Sequence, residues 1–151
     1  MQTRIQPLQP PHLSGLEFLL QLMRGEREPS PMFHTVPMRL TRVEQGHIEM
    51  CVRAEQRHTN TNGGVHGGFA ATVMDSITGC AVRSMLEAGV TYTTISLELK
   101  MLRPPPMEED MIAVADIVNV SRRLGVATAL LQNANGKVLA EGSTTCMIFR
   151  D

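Results

Sequence analysis

The stretch NTNGGVHGGFAATVMDSITGCAVRS, Asn60 to Ser84, holds the residues whose types and spacing could do chemistry. From Gly67 to Val82 every position is small, apolar or uncharged except Asp75, and the run begins with His66 set between glycines. A helix starting near His66 leaves its first backbone N–H groups without intrahelical partners, and its dipole makes that end electropositive. Gly67 and Gly68 carry no side chain, so a ligand can approach those N–H groups closely. Such an end suits a carbonyl oxygen that gains negative charge during acyl transfer. A tight turn followed by close helix packing would use the same glycines.

Asp75 weights the first alternative. A carboxylate in an apolar helix costs several kcal/mol unless it is paired or solvated, and no cation lies within one turn of it. It either bonds a neighbouring strand or lines a pocket, where a desolvated carboxylate is a stronger base. Gly67 and Asp75 are separated by roughly 12 Å along a helix. A base that activates water against a carbonyl carbon must lie far closer than that to the carbonyl's donor. Two such helices, antiparallel across a two-fold axis, bring each N-terminus to the other's middle. The spacing thus predicts a dimer with shared active sites.

The elements that must position these groups follow from periodicity. Residues 1–30 read as an N-terminal arm and a short helix, and residues 31–151 as the main domain. Prolines at 7, 10 and 11 make the first dozen residues an extended arm. Leu16, Leu19, Leu20 and Met23 share one face of a helix over 13–25, ended by Gly25. The stretch EREPSPMF reads as a linker. Alternation then predicts strands through Val36–Leu40 and Ile48–Ala54, turning at Glu44-Gln45-Gly46. Beyond the central helix, Ile95, Leu97, Leu99 and Met101 read as one strand face, with Thr94, Ser96, Glu98 and Lys100 on the other. MIAVADIVNVS, GVATALLQNA and VLAEGSTTCMIF are three further strands, the last two joined at Asn135-Gly136. A helix apolar nearly all round must be enclosed. The expected fold class is therefore α+β, an antiparallel sheet curled around one central helix.

With 151 residues, the chain has the size of one domain. Fourteen basic against fifteen acidic residues, with no basic block, argue against a nucleic-acid or anionic-membrane partner. No segment is long and apolar enough to span a bilayer, and the N-terminus lacks a secretory signal pattern. Cys51, Cys80 and Cys146 are odd in number and widely spaced, which predicts free thiols in a reducing cytoplasm and no metal site. Eleven methionines read first as core filling.

The segments NTNGGVHGGFAATVMD, TTISLELKMLRP and GKVLAEGSTTCMIF resemble the hotdog-fold acyl-CoA thioesterases of the PaaI-like group, over roughly residues 45–149. The resemblance implies hydrolysis of a small, medium-chain or aryl acyl-CoA, without a cofactor. It implies that Gly67 polarises the thioester carbonyl and that Asp75 of the facing subunit acts as base or nucleophile. Asn60 would position the thioester, and Thr94, where many relatives have Ser, would hold the attacking water. His66 fits the motif, more as a structural than a chemical group. Gly68 and the Arg122–Arg123 hairpin are implied substrate contacts, the arginines for the CoA phosphates, with Arg103 a weaker candidate. The implied assembly is a homodimer within a homotetramer. Two other activities fit the same fold: a hydratase, which needs a paired His and acid, and a non-catalytic acyl-CoA sensor.

Overall fold

A computed structural model describes residues 8–150. The expected arm lies partly outside them, over residues 1–7. Its end, from Leu8, leads by turns into α1 (Gly15–Met23), which opens on a capping box. The Ser14 hydroxyl accepts from the Glu17 N–H while the Glu17 carboxylate accepts from the Ser14 N–H. α2 (Met32–Thr35) is a single turn that begins in the expected linker and runs two residues past its end. There follow β1 (Met38–Glu44), β2 (His47–Arg53), a 3-10 turn (Gln56–His58), α3 (Gly67–Arg83), β3 (Thr91–Met101), β4 (Asp110–Val120), β5 (Leu124–Asn133) and β6 (Val138–Phe149).

The six strands form one antiparallel sheet in the order β1-β2-β4-β5-β6-β3. α3 lies across its inner face, as the hotdog architecture requires. Phe69, Val73, Met74, Ile77 and Val82 of α3 are buried against Met50, Met111, Leu131, Cys146 and their neighbours. Each large apolar side chain so buried is worth about 2 kcal/mol. α1 grips the C-terminal end of α3. A side chain at Gly15 would collide with the Arg83 carbonyl, and the Arg83 guanidinium lies 5.3 Å from the Phe18 ring and 5.2 Å from the Tyr92 ring.

Two expectations need correction. α3 is not enclosed all round: Gly68 is exposed, and Ala71, Thr72, Asp75 and Ser76 are only half-buried, leaving one face of the helix open in the protomer. Nor does β3 alternate regularly. Its pairing with β6 slips between Thr94 and Ser96, so Ile95 is an extra, exposed residue. Before the bulge the inward side chains are Tyr92 and Thr94; after it they are Leu97 and Leu99. Bulges re-aim side chains in this way.

Candidate active site

The N-terminal end of α3 is built by the loop that leads into it. Asn60 shapes that loop, its amide oxygen accepting from the N–H of Asn62 (2.9 Å) and of Gly64 (3.2 Å). Gly63 completes the turn at φ +80°. The His66 N–H donates to the His58 carbonyl at 2.8 Å. His66 is the N-cap, its Nδ1 accepting from the Gly68 N–H at 2.8 Å. A neutral ring bonded this way carries its proton on Nε2. The cap takes the Gly68 N–H out of use as a substrate donor. The Gly67 N–H has no acceptor among the described residues.

Beside Gly67 opens a pocket of about 240 Å³, lined by Val65, Ala70, Met101, Leu139 and Pro104, with Arg103 among its residues. The Met101 sulfur would stand 2.9 Å from a Cβ at Gly67, so only glycine leaves room there without moving Met101.

Two turns further along α3, Asp75 sits on the open face of the helix. Its Oδ1 is buried and has no hydrogen-bond partner among the described residues. An unsatisfied buried acceptor costs about 1–3 kcal/mol, a penalty that a purely structural position would not retain. Two thiols feel its charge. Burial pushes the Cys80 thiol up to about 11, opposed by Arg83 and assisted by Asp75. Burial likewise raises Cys146, opposed by its contact with Thr94 and assisted by Asp75. Thr94 reaches this region because of the bulge, its Oγ1 lying 3.8 Å from the Cys146 sulfur. One turn beyond Asp75, Gly79 admits Tyr92, whose hydroxyl would be 3.0 Å from a Cβ there.

The protomer therefore holds two candidate half-sites. Asn60, His66, Gly67 and Gly68 gather at the helix N-terminus, and Asp75 and Thr94 gather at its middle, roughly 12 Å away along the axis. Arg122 and Arg123 lie elsewhere. Their hairpin packs at the other end of α3, where a Cβ at Gly125 would meet Val82 at 2.8 Å. Arg103, ranked last from sequence, is the arginine beside Gly67, its Nη1 donating to the Val138 carbonyl at 2.7 Å. Its sequence signal is the proline run that ends β3 and turns the chain across the helix N-terminus. Leu139 and Cys146 carry no such signal, since each is one apolar position among many in β6. Among the described residues no three His, Cys, Asp or Glu side chains cluster to hold a metal ion.

A family model described as the thioesterase superfamily matches residues 62–140, just over half of the chain. Human acyl-coenzyme A thioesterase 13 is 30% identical over 95 residues, spanning 62% of this chain and 67% of that protein. Among solved structures, a phenylacetic acid degradation-related protein of Ralstonia eutropha JMP134 superposes with a TM-score of 0.79 at 26% identity, covering 86% of this chain and 98% of that one. A Streptococcus mutans UA159 protein solved bound to acetyl CoA shares the fold, with a TM-score of 0.69 at 20% identity over 74% of this chain and 88% of that one. His66, Gly67 and Asp75 all fall inside the matched segment, and Asn60 lies two residues before it. This chain belongs to the thioesterase superfamily and is, by that membership, a thioester hydrolase.

Proposed function

We propose that the protein hydrolyses acyl-CoA thioesters carrying a small, medium-chain or aryl acyl group, and does so as a homodimer with two shared active sites. The observation that carries this reading is the buried, unpartnered Oδ1 of Asp75 on the open face of α3. Among the described residues of one protomer nothing answers that oxygen, and the Gly67 N–H is too distant to act with it. Across a two-fold axis, the Gly67 N–H of one subunit holds the thioester oxygen while Asp75 of the other takes a proton from water. Water adds to the carbonyl carbon, the carbon–sulfur bond breaks, and CoA leaves as the thiol after receiving a proton. Thr94 holds the water, and Asn60 keeps an amide N–H group for the thioester. The outer edge of β3 has no partner among the described residues, which supports pairing there with a second copy.

The apolar lining beside Gly67 supports a compact acyl group. Exposed Ile112, Leu130 and Met147 on the outer face of the sheet support further pairing into a homotetramer. Three free thiols suit a reducing cytoplasm. Hydration is the weaker reading, because the His66 ring is committed to capping α3 and has no acid partner among the described residues.

The test is a panel of acyl-CoAs with a free-thiol readout, run on the wild type and on Asp75→Asn. Asp75→Asn should lower kcat by about 10²- to 10⁴-fold, the range for losing a general base, with the fold intact. Near-wild-type turnover in that variant would rule Asp75 out.

A further inference from the structure

Thr144 and Cys146, two residues apart on β6, both face α3 and are both buried. Each touches a different part of the mid-helix half-site. Thr144 Oγ1 lies 2.6 Å from Thr78 Oγ1, which lies 2.7 Å from the Met74 carbonyl oxygen and 3.2 Å from that of Asp75. Every group is satisfied when Thr78 donates to the Met74 carbonyl and Thr144 donates to Thr78. The turn of α3 that carries Asp75 is thereby tied to β6. On the next inward position, Cys146 contacts the Thr94 hydroxyl across the β6–β3 pairing, one residue from the bulge.

Packing alone does not ask for these polar groups. Replacing two buried hydrogen-bonded partners by apolar groups of the same shape can be nearly neutral for stability. What an apolar pair cannot do is fix the rotation of α3 against β6, or the direction of the Thr94 hydroxyl. From this geometry we infer that Thr144 and Cys146 are positioning residues for the hydrolysis, holding Asp75 and Thr94 in fixed relation through one strand. The inference rests on the reading of Asp75 and Thr94 given above.

The test compares Thr144→Val, which keeps shape and removes the hydroxyl, with Thr144→Ser, which restores it. Cys146→Ala and Cys146→Ser form the second pair. Thr144→Val should lower kcat about tenfold, the scale of a small misplacement of a reacting group, and leave KM within about twofold. Thr144→Ser should recover most of the loss, and Cys146→Ser should exceed Cys146→Ala. Each substitution is then repeated in Asp75→Asn, where Thr144→Val should cause no further loss, because there is no longer a base to position. Equal losses in both backgrounds would show a merely structural role and overturn the inference. Should Thr144→Val fold poorly, the Thr78→Val and Thr144→Val double variant removes both hydroxyls together and is read the same way. An inactive Asp75→Asn beside a fully active Thr144→Val overturns this inference alone. An active Asp75→Asn overturns the site assignment with it.

Discussion

Thr94 and Leu97, three residues apart on β3, point to the same side of the sheet. In a regular strand an odd separation places two side chains on opposite faces. The extra residue at Ile95 cancels that rule and turns Thr94 toward α3. Thr94→Val should therefore lower kcat by about tenfold or more, since a poorly held water costs reactivity. Ser96→Ala, in the position that unbroken alternation would pair with Thr94, should change turnover little because Ser96 is exposed. Steady-state kinetics on the two variants decides the matter. Equal effects would contradict the orientation.

Gly67→Ala tests the helix N-terminus. Alanine favours helix over glycine by about 1 kcal/mol, so thermal stability should hold or rise. The new methyl would meet the Met101 sulfur at 2.9 Å, the end of a flexible side chain that can move aside. Alanine keeps the backbone N–H, so the loss comes from the methyl standing in the approach to it: activity should fall, toward the about 10²-fold cost of an oxyanion donor that the carbonyl can no longer reach. A stable variant with unchanged kcat would show that the thioester does not need the open approach that glycine gives at position 67.

The arginines can be ranked by salt-dependent KM. Arg103 lies beside the Gly67 pocket, whereas Arg122 and Arg123 sit at the far end of α3 in the same protomer. Arg103→Ala should raise KM for the acyl-CoA more than the combined Arg122→Ala and Arg123→Ala variant does, and added salt should shrink the difference. The reverse order would return the phosphates to the β4–β5 hairpin of the facing subunit.

Mixing subunits tests whether the half-sites meet across two chains. Asn60→Ala and Asp75→Asn are each prepared nearly inactive, then mixed and allowed to exchange. Loss of Asn60 also loosens the turn that places Gly67, so both of its effects fall on the same half-site. Random pairing makes about half the dimers mixed, and in those one site carries both defects and the other neither, so about a quarter of all sites should regain activity. Mass-tagged subunits report the exchange. Complete exchange without recovered hydrolysis would refute the shared site.

The sequence was most legible where one rule governed alone. Solitary Asp75, the glycines around His66 and the alternation through β2, β4, β5 and β6 each follow from one rule, and the elements form where those rules place them. Reading failed where two rules competed. Apolar residues all round α3 implied enclosure, yet the polar strip at Gly68, Thr72, Asp75 and Ser76 keeps one face open. Alternation through β3 hid the bulge, because Thr94 and Ser96 carry the same kind of side chain and either phase looks regular. His66 and Gly68 looked like two separate contributors, but the ring of one occupies the N–H of the other. Thr144 and Cys146 acquire meaning only through pairings distant in sequence, which no local pattern encodes.

The strand order has a consequence for synthesis. β3 is made well before β6, but its only partner among the described residues is β6, which lies between it and β5. A nascent chain can fold β1, β2 and α3 and then close the β4–β5 hairpin, while β3 remains without a place in the sheet. Thr94 takes up its position only when the last strand slides into the gap, a pairing whose wide loop makes it slow to form. The orientation of Thr94 thus depends on a strand made after every other strand of this sheet, and a chain stalled before β6 leaves β3 without its partner however much of α3 has formed.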